Sequence, residues 1–167
     1  REVESYLVDY LHEMKSVELN DTDDARNGNG RCSPDFNMFD DEHPIIKATS
    51  KDLSRILKKL FQKRIYIYDS FYNILGAGGG TTPHRHLNRL DKDECLNIAK
   101  SKYSLVYYLD VGDQSCNQPG ILQLYEPNQE ILPKKGMIII IPATRKHSAV
   151  YGGRLQRVMI GINFYTL

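Results

Sequence analysis

The sequence predicts a mainly β protein with two helices at its start, a sandwich or jelly roll with the helices packed on one outer face. Three observations predict it. Apolar residues recur at helical spacing in two stretches before residue 64. After it come about eight short runs rich in Ile, Val, Tyr and Phe, divided by Gly, Pro and Asn. The last run alternates: Val158, Ile160, Ile162 and Phe164 form an apolar face suited to lie under helices, while Arg157, Met159, Gly161 and Asn163 form a second face that looks into a cavity.

The chain has 167 residues, a length for one domain over 1–167, with 1–63 supplying the helices and a long polar loop and 64–167 the barrel core. Lys plus Arg (22) nearly balances Asp plus Glu (21), so no global field points to nucleic acid or an anionic membrane. Cys32, Cys95 and Cys116 are irregularly spaced and form no CxxC pair, which fits a reducing, cytoplasmic setting. The longest apolar run, 137–141, is far short of the roughly 20 residues that span a bilayer, and no signal-peptide pattern is present, so a soluble protein is expected.

Residues 1–14 place Val3, Tyr6, Leu7, Tyr10, Leu11 and Met14 on one helical stripe. From 15 to 44 the chain turns polar and rich in Asn, Asp and Gly, which reads as a long surface loop; its aspartates lack the EF-hand pattern, and His12 and His43 carry no site signal. Ser50 as N-cap and Asp52 in the first turn open a second helix, with Leu53, Ile56, Leu57, Leu60 and Phe61 on its apolar face and Arg55, Lys58, Lys59 and Lys63 on a solvated one. The predicted strands are 64–70, 71–75, 81–87, 103–111, 121–126, 137–141, 147–151 and 156–165. Residues 76–80, four of them glycine, are not followed by the Lys and Ser/Thr of a phosphate loop and read as a flexible strand connection. The segment 88–102 reads as a loop with one short helix overhanging the site.

The chemistry gathers at His84-Arg85-His86. On a strand, the period of two puts His84 and His86 on the same side of the backbone, able to grip one ion. A third imidazole, His147, follows the apolar run, and Arg157 comes ten residues later. Imidazole suits Fe, Zn, Cu or Ni, so ligand type alone does not choose the metal. A buried Arg157 needs either an acidic neighbour or an anionic ligand.

Over about residues 64–167 these features resemble the 2-oxoglutarate- and Fe(II)-dependent oxygenases of the double-stranded β-helix fold, a cupin-like barrel. In that family a His-x-Asp/Glu pair and a distal His bind iron, and an Arg or Lys about ten residues further on pairs with the C5 carboxylate of 2-oxoglutarate; His84, His147 and Arg157 fall on those positions. Ser104 to Leu109, Gly136 to Pro142 and Arg157 to Phe164 are similar to the family's strands. A branch with His-x-His in place of His-x-Asp is the most similar. The resemblance implies Fe(II) as metal, 2-oxoglutarate and O2 as cosubstrates, and hydroxylation of a small-molecule or peptidyl substrate with decarboxylation of 2-oxoglutarate to succinate. It implies catalysis at His84, His86 and His147, with Tyr66, Tyr68, Asn73 and Tyr107 as candidate hydrogen-bonding partners of the cosubstrate beside Arg157. Because residue 86 is histidine, the third ligand is His86 itself or a carboxylate from Asp91 or Asp93. The rival resemblance is to cupins, whose two motifs fit Gly78 to His86 and Gly136 to His147 but give Arg157 no task; a third reading is an inactive barrel serving as a binding module, with an internal acid on Arg157.

Overall fold

The computed structural model describes residues 5–167, so Val3 of the first predicted stripe lies outside the described residues. Helix α1 (Ser5–Glu13) buries Leu7 and Leu11, while Tyr6 turns out to solvent. Helix α2 (Pro44–Phe61) starts earlier than the Ser50 cap predicts. Pro44 sits in the first turn, where its missing N–H is no loss, and the His43 ring caps the helix by accepting from the Ile45 N–H at 3.3 Å. The Tyr10 ring stacks on His43 with centroids 3.8 Å apart, which ties α1 to the start of α2.

The strands form two antiparallel sheets. The larger contains β1 (Val17–Glu18), β3 (Gly30–Cys32), β4 (Ile65–Leu75), β11 (Arg157–Thr166), β6 (Lys102–Asp110) and β9 (Ile138–Pro142), in that spatial order. The smaller contains β2 (Arg26–Asn27), β5 (Gly79–His84), β10 (His147–Tyr151), β7 (Pro119–Leu124) and β8 (Gln129–Ile131). Two sheets with helices on one outer face is the double-stranded β-helix arrangement expected from the sequence.

The outer face of the larger sheet is the main core. Val158, Ile160, Ile162 and Phe164 of β11 meet Leu7 and Leu11 of α1 and Ile46, Leu53 and Leu57 of α2 in one buried cluster. Leu53 and Leu57 are fully buried; each such leucine contributes about 1.5–3 kcal/mol. This cluster pins the sheet against the helices and leaves its other face to line the cavity.

Several local expectations need correction. The segment 15–44 is not one surface loop: β1 and β3 extend the larger sheet beyond β4, and β2 extends the smaller one beyond β5. These strands are too short and polar to show a hydrophobic period, and their partners are distant in sequence. The predicted break at residue 70 is absent, since β4 runs unbroken over 11 residues. The connection 76–80 is not free but bonded, with the Gly76 N–H on Asn29 O and the Gly78 N–H on Tyr151 O. Strand β5 stops at His84, so His86 lies beyond it. The segment before β6 holds two 3-10 turns, Leu90–Lys92 and Ala99–Ser101, where one short helix is expected. No described helix is long and apolar enough to cross a membrane.

Candidate metal centre and its cavity

Between the sheets lies a cavity of about 610 Å³, walled by β4, β6 and β11 on one side and by β5, β7 and β10 on the other. His84 ends β5 and His147 begins β10, directly opposite each other in register, so both rings leave the same face of the smaller sheet. His86 arrives by another route. Its N–H bonds to Ala143 O at 3.0 Å, while Arg85 bonds Thr144 O at 3.0 Å and pairs with Glu126 at 3.2 Å. The His-Arg-His segment is thus laced to the turn that leads into His147, and the three imidazoles converge although only one of the pair is on a strand. Their ligand atoms all lie within 4.8 Å of one another, a cluster able to hold one metal ion.

Hydrogen bonds orient two of the rings. His84 Nδ1 lies 2.7 Å from Thr82 O, and His147 Nδ1 lies 3.0 Å from Arg145 O. A carbonyl only accepts, so each Nδ1 carries the proton and each Nε2 keeps its lone pair for the cavity. The Nε2 atoms of His86 and His147 face each other at 3.2 Å. Burial, reinforced by the neighbouring imidazoles of His147 and His84 and by the Lys102 charge, holds the His86 pKa down to about 3; burial holds that of His147 down to about 4. Both rings are therefore neutral at neutral pH, the state in which imidazole binds metal.

Arg157 enters from the first position of β11 and is 1% exposed. Its Nη1 donates to Gly120 O at 2.6 Å, and its guanidinium lies over the Tyr108 ring at 4.9 Å. Nε and Nη2 have no hydrogen-bond partner, and among the described residues no carboxylate forms an ion pair with this cation. Burial lowers its pKa, with Tyr108 and Tyr151 opposing. Gly120 makes the close approach possible: a Cβ there would lie 1.4 Å from Nη1.

Of the other predicted residues, Tyr68 and Asn73 line the cavity. Asn73 Oδ1 accepts from Arg26 Nη1 at 3.2 Å, and a bulge in β4 brings Tyr68 to the cavity beside Asp69. Burial pushes the Tyr68 phenol well above its ordinary pKa. Tyr107 does not line the cavity. It pairs in register with Ile160 and lies in the core under the helices, and its neighbour Tyr108 takes the inner position. Tyr66 is 57% exposed. Asp91 is not placed to ligate with the histidines: its carboxylate is buried and takes Lys102 Nζ, the Tyr165 hydroxyl at 2.7 Å and the Asn88 N–H at 2.7 Å. Asp93 is exposed and caps the Cys95 N–H.

The sequence reading missed Asp24, Arg26 and Phe36, which come to the cavity from the polar segment, and Asp69, Lys102 and Tyr108 from the larger sheet. Asn163, which the alternation of β11 places on the cavity face with Arg157, does line the cavity. For Arg26 no signal existed.

No protein-family model matches the chain, and no curated protein matches it in sequence. Solved structures do match in fold. An oxidoreductase of the 2OG-Fe(II) oxygenase family from Burkholderia pseudomallei aligns with a TM-score of 0.67 at 10% identity, covering 96% of this chain and 77% of that one. A prolyl hydroxylase from Trichoplax adhaerens, solved with a hypoxia inducible factor peptide, aligns with a TM-score of 0.67 at 14% identity, over 97% and 76% of the two chains. A Pseudomonas putida prolyl-4-hydroxylase aligns with a TM-score of 0.63 at 16% identity, over 98% and 84%. The chain thus has the double-stranded β-helix fold of 2-oxoglutarate- and Fe(II)-dependent oxygenases.

Proposed function

We propose that this protein is an Fe(II)- and 2-oxoglutarate-dependent oxygenase that hydroxylates its substrate, with iron held by His84, His86 and His147 and the cosubstrate's far carboxylate received by Arg157. The observation that carries this reading is the buried guanidinium with two unpartnered nitrogens, in the same cavity as three clustered imidazoles. A buried cation without a counter-charge is costly, and a dicarboxylate bridging the histidine cluster and Arg157 removes that cost. The donor set fits iron, because two imidazoles present Nε2 lone pairs with their Nδ1 protons already on carbonyls.

Iron with 2-oxoglutarate and O2 supplies the oxidation, in which 2-oxoglutarate is decarboxylated to succinate and one oxygen atom enters the substrate. The chain's own residues bind and shield. Arg157 forms a charge-assisted pair with the cosubstrate carboxylate, and Gly120 leaves room for the guanidinium. Val106, Leu122 and Met159 give the cavity apolar walls that exclude water. His86, where a carboxylate would bring a negative charge, leaves the metal its full double charge; this favours anionic ligands and makes the metal harder to oxidise.

A cupin-type centre accounts for the third histidine but gives Arg157 no task. An inactive barrel calls for an acid on Arg157, and none pairs with it among the described residues. The deciding experiment is anaerobic titration of the Fe(II)-loaded protein with 2-oxoglutarate, followed by the visible charge-transfer band of a chelated keto acid. The band is expected with the native protein and lost or weakened in Arg157→Ala; no band at confirmed metal occupancy overturns the reading.

A further inference from the structure

The inner faces of β4 and β11 are paired residue by residue: Arg157 with Leu75, Met159 with Asn73, Gly161 with Phe71 and Asn163 with Asp69. This ladder changes character along its length. At one end is the Arg157 guanidinium, with two of its nitrogens unpartnered. In the middle the tip of the Phe71 ring lies over Gly161, where a Cβ would come within 2.4 Å of it, and Phe36 meets Phe71 edge-on with centroids 5.4 Å apart. At the far end stand a carboxylate and an amide.

Six acidic or basic side chains other than histidine line the cavity. Arg26 pairs with Asp24, Arg85 with Glu126 and Lys102 with Asp91. Among the described residues, Arg157 and Asp69 are left without an ion pair. Asn163 Nδ2 donates to Asp69 Oδ2 at 2.9 Å, which fixes the amide's orientation, because the carboxylate only accepts. Asn163 is 4% exposed, and its Oδ1 has no partner. The far end therefore offers a carboxylate and a buried amide oxygen, both acceptors, and among the described residues no donor fills them beyond that one bond.

Six residue steps along the strand separate Arg157 from Asn163, about 20 Å at the usual rise, more than one small dicarboxylate spans. The far end lies on the histidine side: Asn163 pairs with Ser104, and the Lys102 carbonyl accepts from Ala143, whose own carbonyl holds the His86 N–H. We propose that Asp69 and Asn163 form the substrate's recognition site and receive a protonated amine carried on an aromatic or apolar stem, which lies against Phe71 and Phe36. Its role as a substrate site rests on the oxygenase reading; its affinity for ammonium groups does not.

The probes are benzylammonium and its neutral counterpart benzyl alcohol, titrated near neutral pH into native protein, with the Asn163 side-chain amide followed by nitrogen-15 NMR. Benzylammonium is expected to bind about tenfold or more tighter than the alcohol and to shift the Asn163 amide. Asp69→Asn, which keeps the shape and the bond to Asn163, should erase that preference, and Asn163→Ala should weaken benzylammonium binding. Arg157→Ala should leave it unchanged, so loss of the 2-oxoglutarate band and loss of amine binding are read separately. Equal affinities for the two probes in native protein, no binding of either, or a preference that survives Asp69→Asn overturns the proposal.

Discussion

His86 and His147 bring their Nε2 atoms to 3.2 Å across rings inclined by only 19°, although they lie 61 residues apart. His147 Nε2 has no proton to give, because its Nδ1 proton is on Arg145 O, so the contact is either a hydrogen bond from His86 or two lone pairs converging on one cation. A divalent ion satisfies both rings and His84 together.

Metal binding should therefore stabilise the fold. At free metal about 100 times its Kd the gain is about 2.7 kcal/mol, a rise in Tm of about 5–10 °C for a chain of this size. Differential scanning fluorimetry with and without Fe(II) or Zn(II) measures it. His147→Ala should abolish the shift, and an equal shift in that variant would place the metal elsewhere.

Arg157→Met should separate stability from binding. Replacing an unpaired buried cation by an apolar side chain of similar length is expected to stabilise the ligand-free protein by about 1–3 kcal/mol. The same change should eliminate the 2-oxoglutarate band. Urea denaturation gives the first quantity and the anaerobic titration the second.

Gly120→Ala tests the close approach from the other side. Gly120 has φ +78°, and a Cβ would collide with Nη1 of Arg157. Backbone strain should cost about 1–3 kcal/mol, and displacement of the guanidinium should weaken 2-oxoglutarate binding at least tenfold. Unchanged binding would show that Arg157 does not receive the carboxylate from this position.

The metal-free protein should lose stability on mild acidification. His86 and His147 titrate at about 3 and about 4 in the folded chain, against about 6.5 when unfolded. Below pH 6.5 the unfolded state therefore takes up protons that the folded state refuses, and stability falls with pH until the folded values are reached. At about 1.4 kcal/mol per pH unit for each group, the two together should lose about 5 kcal/mol between pH 7 and 4.5. Urea midpoints across this range measure it, and His86→Gln with His147→Gln should flatten the slope.

Asp91 and Lys102 form a buried pair, with side chains 0% and 2% exposed. Burial alone raises the Asp91 pKa, but the bonds from Lys102, Asn88 and Tyr165 outweigh it and hold the carboxyl below its ordinary value. Asp91→Ala leaves Lys102 buried without a counter-charge and should cost about 3–5 kcal/mol. A cost below about 1 kcal/mol, near the range of exposed pairs, would show that solvent reaches the lysine.

The strand-rich half and the alternation of β11 were legible in the sequence, because period-two patterning records which face is buried. His84, His86, His147 and Arg157 were legible too, as residue types whose spacing suits a metal and an anion. Tyr107 was assigned to the cavity because the inward position of β6 depends on its register with β11, and register joins residues about 50 apart. Arg26 and Phe36 gave no signal, since their segment is polar and its strands are ordered only by partners elsewhere.

The sequence by itself determined the fold class, the helix-covered face and the four residues on which the proposed chemistry rests. Only the tertiary structure decided that His86 joins the cluster from outside a strand, that Asp91 belongs to Lys102 and that, among the described residues, neither Arg157 nor Asp69 has an ion pair. The physical reason is common to all four. Local spacing sets the direction of a side chain along its own strand, but whether a charge is paired depends on which atoms the folded chain brings within about 4 Å.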